Sequence, residues 1–306
     1  MTDLTILQQK LAEYGPVCQL KYNEPLRAHT SFRIGGGAEV MAFPKNREEL
    51  AEILKLSALL DAKCAILGAG TNVLAPDEGM AGIVICLKDG LDGVELLPDN
   101  RLKVMAGVTM TRAAVFAANQ GLSGLEFAHG IPGTVGGCVY MNAGAYGGEI
   151  CQVCESVEYM DLSGNIRTLS NEEMAFSYRH SLLEDVGGIV VSAVFRLTPK
   201  EIREIRAKMK ELMTKRSASQ PLDLPSAGSA FKRPVGGYAA ALIDEAGLKG
   251  YQVGGAAISR KHAGFAVNLG GATAGDVKEL LRQVSDRVYE RTGIRLEPEV
   301  RIWEHS

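Results

Sequence analysis

The sequence predicts an α+β protein in two parts, a larger first part followed by a smaller second one. Three observations carry that expectation. The first third of the chain alternates short apolar strands with helical patterns. The tract from Gly121 to Gly148 is dominated by glycine and small residues and carries little charge. At Pro199 the composition changes, and a charged helical stretch leads through a proline-containing loop into a second, shorter unit. A chain of 306 residues suits two or three domains and can bury most of its apolar surface.

Glu39 to Phe43 reads as a strand, and Asn46-Arg47-Glu48-Glu49 reads as a capping box opening a helix through Leu60. Leu50, Ile53, Leu54 and Leu56 give that helix one apolar face. Lys63 to Leu67 is a short strand followed at once by Gly68-Ala69-Gly70-Thr71-Asn72. Further strands are expected at Ile83 to Leu87, Val94 to Leu97 and Leu102 to Met105. A helix from about Thr111 ends at Gly121, a residue suited to a left-handed position after the C-cap. The glycine-dense tract that follows fits neither a simple helix nor a simple strand. Glycine at this density implies positive φ or close approach of the backbone to a flat ligand.

A hairpin is expected from Val157 to Met160 and Ile166 to Leu169, turning at Asp161-Leu162-Ser163-Gly164, and Ile189 to Leu197 reads as a long strand. Lys200 to Arg216 is a charged helix with Ile202, Ile205, Met209 and Leu212 on one face, a solvated connecting element. After the loop Gln220 to Pro225, helices are expected near Tyr238 to Ala246 and Asp276 to Arg291, with strands between them and a closing strand at Arg295 to Trp303.

With 33 basic and 36 acidic residues the net charge is −3, which gives no footing for a nucleic-acid surface but permits a local site for an anionic small ligand. The start, Met1-Thr2-Asp3-Leu4, has neither the basic opening nor the apolar run of a signal peptide. No stretch approaches the roughly 20 apolar residues that span a bilayer. Six cysteines in a chain of this size point to reduced thiols and a cytoplasmic location. Cys151 and Cys154 form a CxxC, but it runs into a strand pattern and has no partner pair, so buried thiols are expected rather than a redox or metal site.

Gly68-Ala69-Gly70 after a strand invites a dinucleotide reading, yet the Rossmann fingerprint fails because its third glycine falls at Val73. What survives is a glycine turn able to aim backbone N–H groups at a phosphate, or a tight structural turn. The tract Gly130-Ile131-Pro132-Gly133-Thr134-Val135-Gly136-Gly137, leading to Met141-Asn142-Ala143-Gly144-Ala145, is shaped by proline as well as freed by glycine. Its amides could hold a pyrophosphate or the edge of an isoalloxazine ring.

These residues resemble the UDP-N-acetylenolpyruvoylglucosamine reductase family, whose members have a vanillyl-alcohol-oxidase-type FAD-binding fold. The resemblance runs in order through Thr30-Ser31-Phe32-Arg33-Ile34-Gly35-Gly36, Leu67 to Asn72 and the glycine tract. It continues with Phe176-Ser177-Tyr178-Arg179, Ser226-Ala227-Gly228-Ser229-Ala230-Phe231-Lys232 and Leu296-Glu297-Pro298-Glu299-Val300. The short interval between Arg179 and Ser229 is similar to the family's second subtype, which lacks an extra substrate-covering loop. Thr71 stands where serine is common, and Arg233 where many members carry asparagine.

The resemblance implies a two-part FAD-binding domain over residues 1–199, with subdomains at about 1–78 and 79–199. A smaller α+β substrate-binding domain would follow over 200–306, with residues 296–306 free to return to the FAD-binding part. It implies reduction of an enolpyruvyl UDP-sugar by NADPH through non-covalent FAD. Ser229 would be the proton donor and Arg179 the cation at the substrate carboxylate. Glu299 would act as a hydrogen-bond donor or orient Arg179. FAD would lie along Arg33, Ile34, Gly35 and Gly36, along Gly68, Ala69, Gly70, Thr71 and Asn72, and along Gly130, Ile131, Pro132, Gly133, Thr134, Gly136 and Gly137. Asn142, Ala143, Gly144 and Ala145 would lie nearby. Tyr178, Lys232, Tyr238 and Lys249 would meet the UDP-sugar. His29 and His129 raise covalent flavin attachment, which the resembled reductases do not use. On the glycine tracts alone, a flavin oxidase of the same fold or a non-catalytic flavin-binding protein stays open. No metal is implied.

Overall fold

The computed structural model describes residues 4–15 and 17–305; residues 1–3, which carry most of the signal-peptide reading, lie outside the described residues. The chain forms two compact units, each assembled from separate stretches. The first takes the residues through Tyr22, Val40–Ala69 and Gly82–Lys215, and the second takes Asn23–Glu39, Gly70–Ala81 and the residues from Arg216 onward.

The first unit is organised on an antiparallel five-stranded sheet. Its order is Ile166–Ser170, Cys154–Met160, Ile189–Arg196, Arg101–Met105 and Val94–Leu97. The expected hairpin sits at one edge, with Gly164 at φ +85° where the turn requires a left-handed residue. A four-stranded sheet is ordered Gln19–Pro25, Gly37–Phe43, Met80–Cys86 and Cys64–Leu67, and its last pair is parallel. Helix Arg47–Leu59 buries Leu50, Ile53, Leu54 and Leu56, as its apolar spacing requires. Asn46 caps it by accepting from the Glu49 amide at 2.8 Å. The reciprocal carboxylate bond falls one residue earlier than a capping box places it, on the Lys45 amide at 2.8 Å.

Helix Met110–Asn119 starts at the Thr109 cap, and Gly121 after it has φ +69°. Within the glycine tract the expectation needs correction, because Val135–Tyr140 is a short helix. It is held from outside rather than by propensity. The Val135 and Gly136 amides donate to the carbonyls of Val108 and Ala106, and the Gly137 amide donates to the Thr134 hydroxyl. Gly136 must be small, since a Cβ there would lie 2.9 Å from that of Ala106.

All six cysteines are unpaired thiols. Cys151 lies in the single turn Ile150–Gln152, and Cys154 opens a strand. Burial pushes both thiols up, that of Cys154 to about 12. In the charged helix Ile202–Ser219, Ile205, Met209 and Leu212 are buried while Ile202 is exposed.

The second unit has its own antiparallel sheet, ordered Ser226–Ser229, Phe265–Asn268, Ala256–Ile258 and Gln252–Val253. Helices Ala239–Glu245 and Ala274–Thr292 share a core with Phe32, Ile34 and Leu74. Helix Ala274–Thr292 is defined at both ends, by the reciprocal Thr273 and Asp276 cap and by left-handed Gly293 at φ +71°. Asp77 adds a second anchor, accepting from the Ala274 amide at 2.8 Å. The long closing strand expected from Arg295 shrinks to Arg301–Ile302, which pairs in parallel with Val73–Leu74. Pro298 has no amide to continue a ladder and makes only a single bridge with Phe231. Among the described residues no helix is long and apolar enough to cross a membrane.

Candidate functional site

In the first unit the structure gathers Asn142, Gly144, Tyr178 and Arg179. Ser177 and His180 exchange backbone bonds at 3.1 and 3.3 Å, so Tyr178 and Arg179 occupy the tip of a tight turn. Arg179 has φ +56°, a conformation that L side chains avoid unless the surroundings impose it. Its Nη2 donates to the Gly144 carbonyl at 3.1 Å, and its guanidinium lies 5.0 Å from the centre of the Tyr178 ring.

Buried Asn142 holds this turn. Its Nδ2 donates to the Ser177 carbonyl at 2.9 Å, and its Oδ1 accepts from the Cys151 amide at 2.9 Å. The Asn142 side chain therefore serves the turn that presents Arg179. Gly144 and Ala145 pair with Gly148 and Glu149, and a Cβ on Gly144 would meet the Gly148 carbonyl at 2.7 Å.

The glycine tracts contribute backbone. A Cβ on Gly68 would come within 2.6 Å of Thr134 Oγ1, so the first glycine turn packs against the cap of helix Val135–Tyr140. Thr134 is buried and occupied as that cap. The Gly136 amide donates to the Ala106 carbonyl at 2.9 Å and the Gly137 amide to the Thr134 hydroxyl at 3.4 Å. The Ile131 amide donates to the Ala128 carbonyl, and Pro132 has no amide. The amides of Gly68, Ala69, Gly130 and Gly133 donate to no acceptor among the described residues. This donor set fits the phosphate oxygens of a dinucleotide.

In the second unit, a backbone bond ties Glu299 to the residue after Ser229. The Glu299 amide donates to the carbonyl of Ala230 at 2.9 Å, and the Lys232 amide donates to that of Glu297 at 2.8 Å. Asn72 reaches the same segment, its Nδ2 donating to the Glu299 carbonyl at 3.1 Å and its carbonyl accepting from Arg301. Ser229 pairs with Phe265 at the irregular end of its strand and is exposed.

The Arg33 to Gly36 tract is shaped mainly by protein. Arg33 is exposed with φ +56°, whereas the Ile34 side chain lies in the core. The Gly36 amide donates to Pro76, and Cβ atoms on Gly35 and Gly36 would fall within 2.6 and 2.3 Å of Ala75 and Asp77. These glycines permit backbone to pass backbone, a use that sequence alone does not separate from a ligand cradle. Gly70 is similar, at φ +62° with the His29 carbonyl 2.1 Å from where a Cβ would stand. The Gly70 and Thr71 amides have no acceptor among the described residues. His29 Nε2 is 2.8 Å from Glu24 Oε1.

Among the described residues no hydrogen bond or ion pair links Tyr238 or Lys249 to Ser229. Lys249 Nζ lies 2.5 Å from Asp244, and the Arg233 guanidinium stacks 4.7 Å from the ring of exposed Tyr238. Two positioning groups escaped the sequence. The Ser31 hydroxyl donates to the Ser226 carbonyl at 2.6 Å, and Asn268 Nδ2 donates to the Phe32 carbonyl at 3.1 Å. Ser31 lay inside a recognised motif and could have been singled out; nothing local marks Asn268.

Residues 38–170 match the family described as FAD binding domain, and residues 220–303 match that described as UDP-N-acetylenolpyruvoylglucosamine reductase, C-terminal domain. The UDP-N-acetylenolpyruvoylglucosamine reductase of Caldanaerobacter subterraneus subsp. tengcongensis is 46% identical over 297 residues, covering 97% of this chain and 98% of the relative. That of Streptococcus pneumoniae (strain Hungary19A-6) is 42% identical over 296 residues, covering 97% and 98%. The crystal structure of the corresponding reductase from Thermus caldophilus superposes with a TM-score of 0.79 at 38% identity, covering 94% of this chain and 98% of that one.

Proposed function

The chain belongs to the UDP-N-acetylenolpyruvoylglucosamine reductases, and on that premise we propose how its residues divide the work. The fold is the vanillyl-alcohol-oxidase type of FAD-binding domain joined to a smaller α+β domain. The protein is an FAD-dependent oxidoreductase that reduces UDP-N-acetylglucosamine enolpyruvate to UDP-N-acetylmuramate with NADPH. FAD, when bound, supplies the relay of hydride from NADPH to the enolpyruvyl methylene carbon. We assign its non-covalent binding to the backbone of Gly68 to Thr71 and of Gly130 to Gly133, whose free amides support the reading.

Addition of hydride to the methylene carbon leaves negative charge on the substrate carboxylate. Arg179 binds that carboxylate, because a guanidinium is always protonated and can offer two parallel N–H groups. Its anchor on Gly144 and its place on Tyr178 fix the direction of the fork before substrate arrives, which lowers the reorganisation required at the reacting centre. Ser229 delivers the proton to the neighbouring carbon. Glu299 lies on the segment bonded to the residue after Ser229, and that backbone bond is the observation that carries the assignment. Glu299 is assigned either to donate to the developing charge or to orient Arg179. The UDP-sugar is proposed to lie along the residues from 220 onward, with Tyr178, Lys232, Tyr238 and Lys249 offering contacts.

The product feeds peptidoglycan precursor synthesis. We place the enzyme in the cytoplasm, where its supply of UDP-N-acetylmuramate supports cell-wall biogenesis, cell shape, the cell cycle and division. The test is an absorbance spectrum of purified protein followed by NADPH oxidation with and without the enolpyruvyl sugar. A flavin band with sugar-dependent oxidation is expected. A flavin band without that dependence would leave an oxidase or a binding protein.

A further inference from the structure

His129 has one buried ring nitrogen, Nδ1, with no hydrogen-bond partner. Buried polar atoms in native folds are almost always paired, so an orphan of this kind calls for a missing partner. Its position is fixed by backbone on both sides. The His129 carbonyl accepts from the Thr111 hydroxyl at 2.6 Å, and its amide closes the single turn Glu126–Ala128. Four residues on, the Gly133 carbonyl accepts from the Met110 amide at 2.9 Å, on the helix turn that carries Thr111. The stretch from His129 to Gly133 is therefore clamped at both ends to one helix start. Between the clamps, Gly130 and Gly133 have amides without acceptors among the described residues. One short stretch thus carries a buried ring nitrogen and two backbone donors, none with a partner among the described residues. Burial pushes the imidazole below its ordinary pKa, so the ring is neutral near pH 7 and offers one donor and one acceptor.

We propose that His129 is a cofactor-binding residue, its Nδ1 hydrogen-bonding directly to bound FAD. The inference rests on the FAD assignment above and goes beyond it by adding a side-chain contact to a site otherwise built from backbone. It also replaces covalent attachment with a hydrogen bond as the use of this histidine. The tautomer follows from the partner: Nδ1 donates to a flavin carbonyl or accepts from a flavin or ribityl N–H or O–H.

The experiment compares protein freed of flavin with the FAD-loaded enzyme. The ¹⁵N shift of His129 Nδ1, identified by its loss in His129→Phe, is recorded in both forms. FAD dissociation constants are measured for the wild type, His129→Phe and His129→Asn by quenching of flavin fluorescence. Loading is expected to move the Nδ1 resonance, with about tenfold weaker FAD binding in His129→Phe and partial recovery in His129→Asn. An Nδ1 shift that ignores FAD, or His129→Phe binding FAD as tightly as the wild type, overturns the proposal. If His129→Phe does not fold, assignment passes to His129→Asn and the wild-type shift decides. A wild type that binds no FAD at all would sink the functional reading itself, an outcome distinct from an unresponsive His129.

Discussion

The amide of Glu299 donates to the carbonyl of Ala230 at 2.9 Å, so the last acidic residue of the recognised motifs is held beside the residue that follows Ser229. Neither residue is near the other in the chain. Two further links hold the same segment, from the Lys232 amide to the Glu297 carbonyl and from Asn72 Nδ2 to the Glu299 carbonyl.

Replacing Ser229 with alanine should separate the two half-reactions. Reduction of FAD by NADPH is expected to stay near the wild-type rate, while substrate reduction slows by about 10²–10⁴-fold. Stopped-flow absorbance reads both steps. Equal loss in both would remove Ser229 from its role.

Arg179→Lys should lower kcat with little change in melting temperature. Lysine meets the same backbone constraint at φ +56°, so the difference reports the side chain. A point charge replaces the planar fork, and the geometry imposed by Gly144 and Tyr178 is lost. Near-normal turnover would show that the guanidinium does not contact the carboxylate.

Much of this was legible in the sequence, for physical reasons that differ by element. Helix Arg47–Leu59 could be read because its apolar residues follow the helical period and its cap is local. The edge hairpin could be read because Gly164 supplies the turn. Helix Val135–Tyr140 could not, since the carbonyls that hold it belong to Ala106 and Val108, distant in sequence. Asn142 was singled out for its motif, but its work on the Ser177 carbonyl is visible only once the chain is folded. Gly35, Gly36 and Gly70 make room for neighbouring backbone, a demand that looks the same in sequence as room for a ligand.

Two glycine substitutions should behave differently. Gly68→Ala puts a methyl group 2.6 Å from a side-chain oxygen of Thr134, a clash costing about 1–3 kcal/mol. In a Thr134→Ala background that added cost should shrink. Gly70→Ala meets the His29 backbone at 2.1 Å in a left-handed conformation, and no side-chain change relieves it. Urea midpoints of the single and double variants check both statements; equal costs for Gly68→Ala in the two backgrounds would refute the Thr134 contact.

Glu158 provides a pH-dependent test of the first unit. Burial alone would raise its carboxyl, but the Ser192 hydroxyl, Lys103 and Arg47 outweigh it and hold the pKa at about 2. Because the folded value lies below the ordinary 4.5, its stabilisation is present above that pH and fades as pH falls toward 2. The wild type should exceed Glu158→Gln in stability at pH 7, and the gap should close between about 4.5 and 2. A gap constant across that range would count against the ion-pair account.

The double variant Cys151→Ser with Cys154→Ser should retain turnover, since both thiols are raised by burial and neither is paired. A correctly folded but inactive double variant would restore a redox role.

The second unit draws Phe32, Ile34 and Leu74 into one core with Leu280, Leu281 and Val284. During translation these early residues leave the ribosome long before their partners exist. That core closes only when synthesis is nearly finished, so every truncated product exposes the same apolar side chains. A fragment begun at Arg216 inherits the complementary defect, a helix whose cap partner Asp77 and packing partner Leu74 are missing. Neither half of this protein is a contiguous module, because each unit is assembled from separate stretches of the chain.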